Sequence, residues 1–338
     1  MSAGLLACDV PLSQRYPLAL VDLDGVAYRG HEPIEHAARS LEGARAAGMR
    51  LVFVTNNASR EPEEVAAQLS GLDIPAEAGD VMTAAQAAAA LLATRLPAGA
   101  RVLVVGGQGL RTAVVAQGFE IVPSADDAPD AVVQGFSPDL GWSDLAEAAY
   151  AVQAGAWHVA SNRDLSLPQA RGIAPGNGTL VAAVQAATGV EPDSAGKPEP
   201  TMYRLAVERA GATEALVVGD RLDTDLSGAR AAGFPGLHVL TGVSSARDAV
   251  LAEAGMRPHF LATDLRGLHV PHPVPLETDD GWWDCRGRAA RVVDGRLETR
   301  EQEPTGEPLD RVRAACAATW RFVDDGGVLD PASVPDLG

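Results

Sequence analysis

The chain has 338 residues, a formal net charge of −18 and three cysteines, Cys8, Cys285 and Cys316. This length suggests two or three domains, and the composition is that of a globular protein too apolar for disorder. The charge, with no basic stripe, argues against a nucleic-acid or anionic-membrane partner. The cysteines are far apart without metal-ligand spacing, no apolar run approaches a membrane span, and residues 1–15 hold no signal-like pattern. A reducing cytoplasm is therefore the expected location.

In chain order, residues 18–22 read as a strand, Leu-Ala-Leu-Val-Asp. Residues 34–47 have helical apolar spacing stopped by Gly48, and 50–55 form a second buried strand. A helix at 61–69 carries Pro62 in its first turn. This βαβα order predicts a parallel sheet with right-handed crossovers. The rhythm continues with helices at 84–96, 110–117, 143–154 and 180–187 and strands at 101–105, 131–134 and 157–160. Gly106-Gly107-Gln108-Gly109 lacks the full dinucleotide fingerprint and reads as a tight turn. Further helices are expected at 201–210, 222–232 and 244–254, with strands at 215–219, 236–240 and 259–261. Pro271, Pro273 and Pro275 mark an extended connector. Beyond it Asp294-Gly295 signals a hairpin, and 309–322 a helix.

Four motifs fall at strand ends or before helices: Asp22-Leu23-Asp24-Gly25, Thr55-Asn56-Asn57, Gly196-Lys197-Pro198-Glu199-Pro200, and Gly219-Asp220-Arg221-Leu222-Asp223-Thr224-Asp225. Singly, each has a plain reading as a turn, a helix N-cap or a linker. If one parallel sheet holds the strands, the motifs gather at its carboxyl edge, where ligands bind. Together they offer a nucleophilic carboxylate, a second carboxylate for proton transfer, others to share a cation, and a hydroxyl and an ammonium to hold a phosphoryl group. Phosphoryl transfer needs this inventory, and Mg²⁺ suits its hard oxygen donors. In a chain of net negative charge, a phosphate site must be locally positive.

These motifs resemble the haloacid dehalogenase (HAD) superfamily. In order they look like its capped subclass IIA, which includes the 4-nitrophenylphosphatase, phosphoglycolate phosphatase and N-acetylglucosamine-operon phosphatase types. Ser161-Asn162-Arg163-Asp164 and Gly172-Ile173-Ala174-Pro175-Gly176-Asn177-Gly178 resemble the segment where that subclass's chain leaves its cap. The resemblance covers residues 17–265 and departs at Ala58, where many relatives carry serine. It implies an α/β fold: a Rossmann-like core with a parallel sheet, an inserted C2-type α/β cap, and a small C-terminal α+β extension. The expected divisions are 1–80 for the first part of the core, 81–187 for the cap, 188–270 for the rest of the core, and 271–338 for the linker and extension.

The resemblance also implies roles. Asp22 is the expected nucleophile, forming an aspartyl-phosphate, and Asp24 the expected acid and base. Mg²⁺ is expected on Asp22, Asp220 and the Asp24 backbone carbonyl, with Asp225 in support. Thr55, Asn56, Asn57 and Lys197 are expected to bind the phosphoryl group, and Asp223 is ranked lower. A large cap favours a small phosphorylated metabolite. Similarity to actinobacterial glycerol-3-phosphate phosphatases, extension included, implies glycerol 3-phosphate; phosphoglycolate, pyridoxal phosphate and sugar or nucleotide monophosphates are the alternatives. The extension is expected to pack on the main body or on a second subunit, which allows a homodimer. A rival from another class is a receiver-like phospho-acceptor, whose acceptor aspartate lies on a later strand and which lacks so large an insertion.

Overall fold

The structure, a computed structural model, describes residues 4–169 and 171–337. Residues 1–3 of the segment read for a signal, and Gly338 of the extension, lie outside the described residues. The chain packs as two compact units, one formed by Met1–Leu51 and Ala210–Gly338, the other by Val52–Arg209.

In the first unit four parallel strands lie side by side in the order Phe260–Ala262, Gly236–Val239, Leu216–Gly219, Leu18–Asp22. They are almost wholly buried, which explains their near-continuous Leu, Val and Ala: a strand covered on both faces has no polar side to show. In parallel register Ala19 faces Leu216 and Val21 faces Val218. Asp22 and Asp220 thus leave their strands at one carboxyl edge. After Asp220 the chain makes a π-turn over Leu222–Leu226, then a helix over Ser227–Ala232 that Gly233 closes in the left-handed region. The helix read at 244–254 is shorter, Ala246–Val250, because Ser245 caps its start and a turn follows Leu251.

The C-terminal segment has a four-stranded antiparallel sheet, ordered Leu276–Glu277, Trp283–Cys285, Arg288–Val293, Arg296–Glu301. The sequence revealed only its last hairpin. The first two strands are two and three residues long, too short for alternation to show. Asp294 and Gly295 both take positive φ in the hairpin turn. Helix Leu309–Asp324 packs on this sheet, and Ala290, Val312, Cys316 and Trp320 join Leu226, Val250 and Leu261 in one core. The extension therefore packs on its own unit's main body. All three cysteines are buried free thiols.

In the second unit Phe53, Val54 and Thr55 of the strand Arg50–Thr55 pair in parallel with Val81–Thr83. Thr83 and Gln86 then form a capping box on helix Ala84–Ala93. A five-stranded parallel sheet runs in the order Asp193–Ser194, Trp157–Ala160, Ala131–Gln134, Arg101–Val105, Glu120–Val122. Helices Trp142–Gln153 and Asn177–Thr188 bury one of its faces through Leu103, Val105, Val132, Ala149 and Val184. The hairpin Ser166–Gln169 and Gly172–Pro175 was not read from the sequence. Gly109 in the glycine-rich turn sits against the Arg60 carbonyl, where no Cβ fits, so that turn serves backbone packing. Among the described residues no helix is long and apolar enough to cross a membrane.

Candidate active site

In the first unit, Asp22, Asp220 and Asp225 each offer a ligand atom, all within 4.8 Å of one another. Asp220 and Asp225 are buried. Carboxylates this close repel unless a cation lies among them. Three hard oxygen donors fit Mg²⁺, which prefers such ligands together with water.

The surrounding chain fixes these carboxylates. The Val243 N–H donates to Asp220 Oδ2 at 2.6 Å, and Ser244 N–H to the Asp220 carbonyl at 3.1 Å. A Cβ at Gly25 would sit 2.5 Å from Asp220 Oδ2, and one at Gly242 would collide with the same oxygen. His238 Nε2 lies 3.2 Å from the carbonyls of both Asp220 and Ser244. Two acceptors require that this nitrogen carry the proton. Burial pushes the His238 imidazole down to about 4, so it is neutral near pH 7. Asp225 Oδ2 accepts the Arg221 N–H at 3.2 Å, and the carboxyl of Asp225 fills the space beside Gly219 where a Cβ would stand.

Asp24 lies outside this carboxylate group and is exposed. Its turn is held by Gly25 N–H on the Tyr28 carbonyl at 2.8 Å and by Thr241 Oγ1 on the Gly25 carbonyl at 2.6 Å. Asp223 points toward solvent and pairs with Arg221 at 2.7 Å. Burial works to raise its carboxyl, but the Arg221 hydrogen bond and charge outweigh that and hold it below the usual carboxylate range.

In the second unit, Thr55 ends its strand and its Oγ1 accepts the Asn57 N–H at 3.1 Å. Asn57 Oδ1 accepts from Ser59 N–H at 2.9 Å, Ser59 Oγ at 3.0 Å and Arg60 N–H at 3.2 Å, so this side chain shapes its own loop. Asn56 Oδ1 accepts the Lys197 N–H at 2.8 Å, and its Nδ2 donates to the Lys197 carbonyl at 3.2 Å. Lys197 is buried, with Nζ 3.4 Å from the Val54 carbonyl. It is also the sole lysine in the chain; every other one of the 27 basic residues is arginine.

Sequence reasoning passed over the loop 241–244 and His238, which hold Asp220, and the side chain of Asp164, which meets Asn56. For the loop, the available signal was Gly242 following a strand that neighbours the Asp220 strand.

Known proteins resemble this chain over most of its length. Residues 19–120 match the family described as haloacid dehalogenase-like hydrolase, and residues 194–268 one described as HAD-hydrolase-like. The chain is 48% identical over 310 residues to the D-glycerol 3-phosphate phosphatase of Mycobacterium tuberculosis, covering 91% of this chain and 87% of that protein. It is 36% identical to the acid sugar phosphatase of Staphylococcus saprophyticus, covering 75% of this chain and 96% of that one. The chain belongs to the haloacid dehalogenase-like hydrolases. A crystal structure of the Mycobacterium tuberculosis glycerol phosphate phosphatase in complex with magnesium superposes with a TM-score of 0.86 at 47% identity over 92% of each chain. The 4-nitrophenylphosphatase of Thermotoga maritima gives a TM-score of 0.70 at 29% identity over 76% of this chain and 98% of that one. The α/β architecture is thus that of HAD hydrolases. Membership separates the chain from receiver-like acceptors and makes it a phosphoric monoester hydrolase that uses Mg²⁺ on a small phosphorylated substrate.

Proposed function

We propose that this chain hydrolyses D-glycerol 3-phosphate to glycerol and inorganic phosphate, with Mg²⁺ held by Asp22, Asp220 and the backbone carbonyl of Asp24. The observation that carries the reading is the three-carboxylate group, in a chain 48% identical over 91% of its length to a D-glycerol 3-phosphate phosphatase. Mg²⁺, when bound, neutralises phosphoryl oxygens and keeps the Asp22 carboxylate ionised.

The chain's own residues do the rest. An Asp22 oxygen attacks phosphorus while the bond to the glycerol oxygen breaks. Asp24, as the acid, gives its proton to the leaving alkoxide. It then takes a proton from the water that attacks the aspartyl-phosphate, and the phosphorus–Asp22 bond breaks. Asp225, which stands with Asp22 and Asp220, would support the residues that hold the ion. Asn57 commits its side chain within its own loop, and Asn56 commits its side chain to the Lys197 backbone and the Asp164 carboxylate. The phosphoryl contacts therefore fall to the Thr55 hydroxyl and the Lys197 ammonium. The net charge of −18 supports the absence of a nucleic-acid partner, and we place the protein in the cytoplasm as a homodimer.

The test is kcat/KM across a panel of phosphate esters in Mg²⁺: glycerol 3-phosphate, phosphoglycolate, pyridoxal phosphate, sugar phosphates and nucleoside monophosphates. Glycerol 3-phosphate is expected to lead. A sugar phosphate or nucleotide in first place overturns the substrate, and full turnover in EDTA overturns the metal.

A further inference from the structure

The Asn56 side chain is the hub of a hydrogen-bonded chain that ends on a residue with no assigned role. Its Nδ2 donates to both oxygens of Asp164, at 3.2 and 3.1 Å, as well as to the Lys197 carbonyl at 3.2 Å. Its Oδ1 accepts the Lys197 N–H at 2.8 Å. Only one orientation of the amide satisfies this set: the nitrogen must face the carboxylate and the carbonyl, and the oxygen must face the N–H. We propose that Asp164 is a positioning residue for Lys197, acting through Asn56; this rests on the reading of Lys197 as a phosphoryl ligand.

Hydrogen bonds to an ionised carboxylate are stronger than those between neutral groups. In a chain of such bonds each polarises the next, so Asp164 makes Asn56 Oδ1 a better acceptor for the Lys197 N–H. Asp164 itself is held by main-chain bonds that its side chain does not supply. Its N–H donates to Asn162 Oδ1 at 3.2 Å and its carbonyl accepts the Gly178 N–H at 2.8 Å, at the start of helix Asn177–Thr188. The adjacent Leu165 carbonyl accepts Thr179 Oγ1 at 2.7 Å. Asn162 Nδ2 reaches the Asn56 carbonyl at 2.7 Å, and Asn177 Nδ2 reaches the Asn162 carbonyl at 2.8 Å. The residue before the lysine closes the seat: a Cβ at Gly196 would stand 2.5 Å from the Ser161 carbonyl and 2.8 Å from Asn56 Oδ1. One short segment, 161–165, thereby sets the Asn56 amide and, through it, the backbone that carries the lysine.

Because Lys197 is the sole lysine, a full-length protein labelled with ¹⁵N-lysine shows a single main-chain amide signal, the N–H that Asn56 accepts. In the wild type, inorganic phosphate with Mg²⁺ is expected to shift the lysine signals. Asp164→Ala should move the amide signal and lower kcat/KM by about tenfold to a hundredfold, the scale of a small misplacement at a reacting group. Asp164→Asn keeps an acceptor oxygen and should recover part of both. Thr179→Val loosens the same segment without touching Asn56, and should lower the thermal midpoint while leaving the lysine amide and kcat/KM at wild-type values. Wild-type kinetics and an unmoved amide in Asp164→Ala overturn the positioning role, as does an equal kinetic loss in Thr179→Val. If phosphate leaves the wild-type lysine signals unmoved, the phosphoryl reading itself fails and takes the proposal with it.

Discussion

In the proposed mechanism Asp22 and Lys197 carry the chemistry, and each makes a separate expectation. Asp22→Asn keeps the shape of the side chain but removes the nucleophilic charge. Phosphate release is expected to fall below a few per cent of wild type with an unchanged circular dichroism spectrum, and a folded variant that still turns over refutes the nucleophile. Lys197 stands against the composition of its own chain, where arginine fills every other basic position. A compact ammonium fits its buried place, and a planar guanidinium with five donors does not replace it. Lys197→Arg is therefore expected to lower kcat/KM at least ~10-fold, the scale of a lost transition-state contact; unchanged steady-state kinetics in that variant would count against the assignment. Asp22 and Asp220 were legible because a buried apolar run that stops at a carboxylate can stop there only at a rim. The commitment of Asn56 was not legible. Its partners lie 108 and 141 residues away, and no local pattern distinguishes an asparagine that binds substrate from one that seats a lysine.

Among the elements, helix Leu309–Asp324 shows how the extension is joined to the parallel sheet. Asp310 is fully buried and accepts from Arg286 Nε and Nη2 at 2.8 and 2.9 Å and from Arg313 Nη1 at 2.7 Å. Arg313 Nη2 then donates to the Leu261 carbonyl of the parallel sheet at 2.7 Å, and Trp320 Nε1 to the Ala249 carbonyl at 3.1 Å. Removing Asp310 takes charged hydrogen bonds from two arginines that keep Glu307 as a partner, Arg286 being partly exposed, a loss of about 1.5–3 kcal/mol. Asp310→Ala is expected to lose stability on that scale in urea unfolding while any remaining folded enzyme keeps its KM. A loss below the precision of the unfolding curve would show the cluster to be incidental. The sequence announced this helix through its apolar spacing. It did not announce the ion cluster, because Arg286, Asp310 and Arg313 look like ordinary surface charges until the sheet brings them together.

Over the whole chain, acid sensitivity follows from buried imidazoles. Burial holds His158, His259 and His272 down to about 4, against about 6.5 in an unfolded chain. Between those values the unfolded state binds more protons than the native state, so stability rises with pH across that window. Their contribution is complete above about pH 6.5 and drains away as pH falls toward 4. The thermal midpoint is expected to drop between pH 7 and pH 5; a flat profile would show that these imidazoles do not charge on unfolding. The strands at or beside His158 and His259 were readable, because continuous apolar patterns are strong in an Ala-, Val- and Leu-rich chain, whereas His272 lies in the proline-marked connector. Strands of two or three residues carry no period, so those at Asp193–Ser194 and Leu276–Glu277 escaped.

The strand Phe260–Ala262 lies at the outer edge of its sheet, where unpaired main-chain groups invite another molecule's strand. Arg313 occupies the carbonyl of Leu261 at its centre, and the C-terminal helix packs its apolar residues against the same strand. The acid sugar phosphatase relative matches 75% of this chain with 96% of its own length, so it has little left to form such a covering. The extension thus leaves this edge unavailable for pairing with a further strand. Its loss should appear first as clumping in concentrated solution, before any change in the chemistry at the carboxyl ends of strands Leu216–Gly219 and Leu18–Asp22.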